Sequence, residues 1–391
     1  MNREAARKKY QLREEQKKEL VQRYYDGEST KVLIAEFNLQ GLETSQITYL
    51  FDDIITDIQC EYCGLMLQKE PHTRSSSEKD AICPGCGHTI YTSNFRHCFC
   101  VNCVKKTENK KKEIEELKER NICKILDCEH EKDNYPSEEL TGWEKLILGS
   151  LITFAMDEDL QYIQPLESFS RCLFANSDKS NEILKAFYHK GILILGNKYY
   201  IDAFILNEQY EPKSYTVNQI FYEIWVDDDE ICKKLLNPKP FLDKNQILLF
   251  WRDLNKAEAI EYLLKEFQKV GIKYFSPGKK TEELFVAMVE KFSLSQIYRI
   301  IRYITDKTAK DILSGEKNYQ HAANAAIMRM ESYYKRALHE NYSLYIVKYE
   351  NDLSMATTYF YNKILNMGES AFYSVPNIEL KQETILKSEG E

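Results

Sequence analysis

The sequence predicts a mainly α-helical protein built as consecutive modules: a three-helix N-terminal unit, a small cysteine-rich module, a segment joining a helix to a β-hairpin, and a helical C-terminal domain. Three observations predict this. Apolar residues recur at helical spacing through the second half, as in Ile297, Ile300, Ile301 and Ile304, the stripe of an amphipathic helix. Nine of the eleven cysteines crowd between Cys60 and Cys128 in short pairs. The 391 residues, 43% hydrophobic and 29% charged, suffice for two or three domains with a substantial core and exclude a disordered tail protein. The expected boundaries give segments 1–57, 58–104, 105–136, 137–212 and 213–391.

The N-terminal unit begins with a charged amphipathic helix over residues 11–26, with Leu12, Leu20, Val21 and Tyr24 on one side. Asp26-Gly27 ends it, Ser29 offers a cap for a second helix through Phe37, and a turn at Asn38–Gly41 leads to a third containing Ile47, Leu50 and Ile54. Val21–Phe51 resembles the helix-turn-helix family, and that resemblance implies that Thr44, Ser45, Gln46, Thr48 and Tyr49 face a DNA major groove. The chain carries a net charge of −8, so any nucleic-acid contact must come from a local basic patch. One candidate lies in the first 25 residues, where Arg3, Arg7, Lys8, Lys9, Arg13, Lys17, Lys18 and Arg23 face only Glu4, Glu14, Glu15 and Glu19.

The cysteine module carries the most specific signal. Cys60-Glu61-Tyr62-Cys63-Gly64 and Cys83-Pro84-Gly85-Cys86-Gly87 are both C-x-x-C-G loops. Two intervening residues let both thiolates reach one ion, and the following glycine permits the tight turn. Nineteen residues separate the loops, inside the window of a four-cysteine zinc site. This stretch resembles the zinc-ribbon superfamily, which implies bound Zn2+ in a structural role. Cys98, Cys100 and Cys103 follow at once, with His88 and His97 nearby. Seven cysteines and one histidine make two tetrahedral sets, and two pairings are open. Consecutive pairing joins Cys60, Cys63, Cys83 and Cys86, leaving His88 or His97 with Cys98, Cys100 and Cys103; crossed pairing joins the first loop to Cys100 and Cys103. Cys123 and Cys128 read as free thiols, Cys172 and Cys232 as core residues.

A Lys/Glu-rich connecting helix is expected over 105–120. Beyond it, helices are expected at 143–155 and at 179–190, the latter capped by Ser180 and closed by Gly191. Ile192–Leu195, Gly196-Asn197 and Lys198–Ile201 then read as a tight hairpin. A helix running into a hairpin resembles a winged helix, which implies that Lys179, Lys185, His189 and Lys190 face a partner. Further helices are expected near 216–226, 243–251, 255–270, 280–291, 293–313, 318–340 and 352–366, with fraying from Lys381.

No phosphate-binding loop, dinucleotide fingerprint, nucleophile elbow or clustered carboxylate pair occurs, so the protein is expected to be non-catalytic. No apolar run reaches the roughly 18–20 residues of a membrane span, and the basic N-terminus lacks a signal-peptide apolar stretch. Paired, unsecreted cysteines favour a cytoplasmic location. The expected function is a zinc-containing DNA-binding or DNA-associated protein. The alternative is a protein-interaction or scaffold subunit, or a self-associating chain; the general build resembles proteins of bacterial defence systems and mobile elements.

Overall fold

A computed structural model describes residues 2–272, 276–313, 319–340, 346–349 and 353–377; the expected frayed end lies outside them. The chain is mainly helical and divides into two compact units, Met1–Leu117 and Lys118–Glu391.

The first unit opens with α1 (Arg3–Lys9), α2 (Glu14–Tyr25) and α3 (Thr30–Glu36). The expected single helix over 11–26 is thus preceded by a separate one, whose Ala6 is fully buried with Leu20, Leu33 and Ile47. The expected third α-helix is instead a 3-10 helix, Thr44–Leu50. Ile47, Thr48 and Leu50 are all buried within its seven residues. α1 and α3 both pack on it. The residues expected to face DNA, Thr44, Ser45, Gln46, Thr48 and Tyr49, thus lie on a 3-10 helix and not on an α-helix.

The cysteine module is an antiparallel meander in the order β1 (Ile54–Gln59), β2 (Met66–Lys69), β3 (Ala81–Ile82), β4 (Thr89–Ile90). Its apolar interior consists of Leu67 and Ala81 beside Cys60 and Cys83. Helix α4 (Val101–Glu129) extends past both ends of the expected 105–120 segment, and on its second half Ile122 and Leu126 are buried.

The second unit contains α5 (Gly142–Phe154), opened by a reciprocal capping box between Thr141 and Glu144. Helix α6 (Ser177–Lys190) is capped by Asn176, one turn earlier than expected. Ser180 is inside that helix, its hydroxyl donating to the carbonyls of Phe174 and Asn176. The expected hairpin is corrected. β5 (Leu193–Leu195) pairs antiparallel with β8 (Tyr222–Ile224), not with residues 198–201, while β6 (Phe204–Leu206) and β7 (Pro212–Tyr215) pair with each other. All three residues of β5 are buried; a strand enclosed on both faces needs a partner such as Tyr222, 1% exposed, whereas Lys198 and Tyr200 lie at the surface. Strand β8 also replaces the helix expected at 216–226. Of the cations expected to face a partner, Lys190 pairs with Glu144 at 2.7 Å and Lys179 with Glu182 at 2.9 Å.

After α7 (Ile231–Leu236), the two helices expected over 243–270 are one, α8 (Lys244–Lys269), capped by Asp243. Inside this helix Asn255 is fully buried, and its side-chain oxygen accepts a 2.6 Å hydrogen bond from the Tyr361 hydroxyl. Helices α9 (Lys279–Val289), α10 (Leu294–Leu313) and α11 (Tyr319–His339) follow close to the expected spans. Ile297, Ile300 and Ile301 are fully buried, and Ala322, Ala323 and Ala326 give α11 its close contact with α10. The segment expected as 352–366 is α12 (Met355–Tyr359) running into a π-helical turn, Phe360–Ile364, before α13 (Ser370–Tyr373).

Helix α12 packs on α5 at Gly149. A Cβ there would stand 2.3 Å from the ring of Tyr359, which is fully buried and donates its hydroxyl to the Leu235 carbonyl at 2.6 Å. The ring cannot retreat without breaking that bond. Gly149→Ala is therefore expected to destabilise the protein by ~1–3 kcal/mol, read as a lowered urea midpoint at unchanged slope; an unchanged midpoint contradicts this packing.

Candidate metal centres

Each C-x-x-C-G loop closes a β-hairpin in the same way. In the first, the Cys60 N–H donates to the Leu65 carbonyl at 2.8 Å and the Gly64 N–H to the Cys60 carbonyl at 3.0 Å. In the second, the Cys83 N–H donates to the His88 carbonyl at 2.7 Å and the Gly87 N–H to the Cys83 carbonyl at 3.0 Å. Gly64 and Gly87 take φ of 73° and 69°, the left-handed region that glycine enters without a Cβ penalty. The loops face each other closely: a Cβ on Gly85 would stand 2.7 Å from the Leu65 side chain and 3.5 Å from the Cys63 sulfur.

The result is two groups of four ligand atoms, Cys60, Cys63, Cys83 and Cys86 in one and His88, Cys98, Cys100 and Cys103 in the other, each group within 4.8 Å. In the first, Cys63 lies 3.2 Å from Cys83 and 3.9 Å from Cys86, and Cys60 lies 3.5 Å from Cys86, sulfur to sulfur. Tetrahedral thiolates about 2.3 Å from one ion stand about 3.8 Å apart; a disulfide needs about 2.05 Å. In the second group, His88 Nδ1 lies 3.2 Å from the Cys103 sulfur and 4.0 Å from that of Cys100. Pairing is consecutive, and His88, 9% exposed, takes the eighth position. His97 is exposed and outside both groups. Each four-ligand group can hold a metal ion.

The electrostatics ask for a cation. Backbone N–H groups, that of Cys86 foremost, lower the Cys83 thiol to about 6. Burial raises Cys98, yet the N–H groups of Cys100 and Thr89, 3.4 and 3.2 Å from its sulfur, bring it down to about 6. Although the His88 N–H favours its thiolate, Cys86 is pushed up to about 12 by burial and by the neighbouring thiols of Cys60, Cys83 and Cys63. Sulfurs this close cannot all ionise unless a positive charge stands among them.

Tyr62 joins the two groups, and sequence reasoning passed it over as a variable position. Its hydroxyl lies 3.3 Å from the Cys103 sulfur and its ring meets the His88 imidazole edge-on at 5.1 Å. Lys106 reaches back to Glu61 at 2.9 Å, tying α4 to the same loop. The only earlier signal was an aromatic inside a C-x-x-C loop.

The remaining candidates do not converge. Among the described residues, Cys123, Cys128, Cys172 and Cys232 join no such group; the Cys123 sulfur lies 3.3 Å from the Tyr199 hydroxyl. Arg13 and Lys18 are exposed, whereas Lys17 is held by Glu14 at 2.6 Å and lies 4.0 Å from Asp52. Thr44 and Ser45 are exposed, Gln46 and Tyr49 half-buried, and the Tyr49 carbonyl accepts from Arg7 at 3.2 Å. Arg3 pairs with Asp53 at 2.6 Å, and Arg23 with Glu28 and Glu36 at 2.6 and 2.5 Å. Carboxylates of the same unit thus hold much of the basic surface expected in the first 25 residues. Among the described residues no helix is long and apolar enough to cross a membrane.

No protein-family model, curated protein or solved structure matches the chain.

Two equivalents of a thiophilic divalent ion per chain are expected on titration. Cys83→Ser and Cys98→Ser should each remove one equivalent and leave the other; a variant losing both, or a wild-type chain taking up none, contradicts two independent groups.

Proposed function

We propose that both groups bind zinc structurally, that the module is a zinc-ribbon-like fold, and that the protein is a non-catalytic DNA-associated protein. Four protein ligands per ion leave no position for a water or substrate, which separates structural from catalytic zinc. Thiolates must stay reduced to serve as ligands, which favours an intracellular, cytoplasmic setting.

The observation carrying the DNA reading is the segment Thr89–Lys112. It holds Arg96, Lys105, Lys106, Lys110, Lys111 and Lys112 against the single acid Glu108, in a chain of net charge −8; Arg96 and Lys106 pair with Asp80 and Glu61 outside the segment, so the charge is carried mainly by the other four lysines. A filled Cys3His site in the same segment subtracts one charge and leaves it clearly positive. Phe95 and Phe99 stand 95% and 82% exposed on the loop entering α4, and Lys105 and Lys110–112 are exposed on that helix. Solvent-facing phenyl rings among cations suit single-stranded DNA, with bases stacking on the rings and phosphates meeting the lysines. The helix-turn-helix-like residues Thr44–Tyr49 are not needed for this contact. Zinc fixes the loop, because Cys98 and Cys100 bracket Phe99.

A second reading rests on a separate surface. Ile55, Met66 and Ile82 are 68%, 47% and 44% exposed, and the register places them on one face of the sheet. That apolar face suits a protein partner, as in a scaffold subunit.

The zinc-loaded chain is expected to bind single-stranded DNA with log K falling against log salt by ~0.7 per phosphate contacted. Phe95→Ala and Phe99→Ala should each weaken binding by ~1–3 kcal/mol without changing zinc content, and Lys110, Lys111 and Lys112 changed together to Glu should flatten the salt slope. DNA affinity indifferent to all of these sinks the assignment. Absence of DNA binding together with a partner lost on Ile55→Lys favours the scaffold reading.

A further inference from the structure

The second unit holds a cavity of about 490 Å³ that the metal centres and the DNA segment leave unused. Its size falls in the range of small-molecule sites, roughly 300–1,000 Å³. Helix α8 contributes Phe250, Asp253, Ala257 and Glu261, spaced three or four residues apart and so on one face. The same helix sends Leu254, Leu263 and Phe267, all fully buried, into the apolar core. Trp143 comes from the first turn of α5, Phe174 and Asn176 from the stretch that caps α6, and Glu282 from the first turn of α9.

Three rings supply its apolar lining. Trp143 meets Phe174 at 5.6 Å and 82°, and Phe250 at 5.6 Å and 64°, edge-on contacts in which one ring of each pair keeps both faces clear of the other. All three are half-buried, so each retains ring surface in the cavity. Among the described residues no side-chain cation of the protein stands over any of them. The charged lining is negative. Asp253 pairs with Lys256 at 3.7 Å and Lys179 with Glu182 at 2.9 Å, so both lysines are offset. Glu261 and Glu282 make no ion pair among the described residues. Glu261 accepts from the Asn176 amide at 3.2 Å, a bond that orients the carboxylate and leaves its charge in place. Glu282 attracts Lys179 from beyond ion-pair distance. Lys265, one turn further along α8, does not pair with Glu261. Even with it included, Asp253, Glu182, Glu261 and Glu282 outnumber Lys179, Lys256 and Lys265.

Aromatic faces carry the negative side of the ring quadrupole, so rings and carboxylates ask here for the same ligand charge. We infer that the cavity binds a small methylated ammonium compound, its N-methyl groups against Trp143, Phe174 and Phe250 and its charge toward Glu261 and Glu282. A desolvated cation over such rings gains about thirtyfold in affinity. Methylation matters because a bare ammonium is strongly hydrated, and rings return little for the water it would lose. N-methyl groups remove those donors and spread the charge over carbon.

Isothermal titration of the full-length, metal-loaded chain with choline, ethanolamine and dimethylbutanol tests this. Ethanolamine lacks choline's methyl groups, and dimethylbutanol, its carbon isostere, lacks the charge. Choline should bind one site per chain at least about tenfold more tightly than either. Glu261→Gln together with Glu282→Gln keeps an acceptor for Asn176 and should weaken choline at least about tenfold. Phe250→Leu, which keeps an apolar side chain without a ring, should weaken it about fivefold. Both variants should retain the wild-type circular dichroism spectrum. Phe95→Ala/Phe99→Ala should leave choline binding intact, separating this cavity from the DNA segment. No choline binding at millimolar concentration, equal affinity for dimethylbutanol, or wild-type affinity in the two-carboxylate variant overturns the inference. Ethanolamine binding as tightly as choline overturns recognition of the methyl groups.

Discussion

The cysteine module of the first unit gathers seven thiols and one imidazole into two groups, each able to hold a metal ion, in a place where hydrophobic burial cannot do the same work. Between Ile54 and Cys100 the enclosed apolar side chains besides cysteine amount to Leu67, Pro71 and Ala81, and two of the four strands are only two residues long. A buried leucine contributes about 1.5–3 kcal/mol; a four-ligand structural zinc contributes about 10–16 kcal/mol. Local geometry follows from that difference. The glycines after each second cysteine, the N–H groups aimed at Cys83 and Cys98, and the close approach of Gly85 to Leu65 all bring sulfur to where a cation gathers it.

The second unit is organised by the opposite physics. A continuous apolar core runs from Leu146 through Leu193, Leu254 and Ile301 to Phe360, and several buried polar groups find partners inside it. Tyr359 reaches the Leu235 carbonyl, Tyr361 reaches Asn255, and Glu258 takes Ser354 and Thr357. Two of these acceptors, Asn255 and Glu258, lie on α8.

Legibility in the sequence followed interaction range. The metal ligands were readable because two-residue spacing and a following glycine are local requirements, and consecutive pairing was one of the two arrangements they allow. What chose His88 over His97 was the hairpin closed by the Cys83 N–H to the His88 carbonyl, which spacing alone does not encode. The long helices were readable from stripes such as Ile297–Ile304. Pairing of Leu193–Leu195 with Tyr222–Ile224 was not, since the nearby Gly196-Asn197 imitates a hairpin turn and the true partner lies far along the chain. The 3-10 form of Thr44–Leu50 was equally hidden, because it comes from packing against α1 and α3. Tyr62 shows its role only once the second loop brings His88 and Cys103 beside it.

The central claim is that two ions sit inside sulfur-rich tetrahedra supplied by seven cysteines and one histidine. Zinc K-edge X-ray absorption on the purified chain examines this at the bond. Shared over two ions, seven sulfurs and one nitrogen average three and a half sulfurs and half a nitrogen per zinc, with sulfur at ~2.3 Å and nitrogen at ~2.0 Å. That shell, with four neighbours in all, is the predicted result. A shell dominated by oxygen or nitrogen, or a protein that keeps its native fold with no metal bound, would contradict the account.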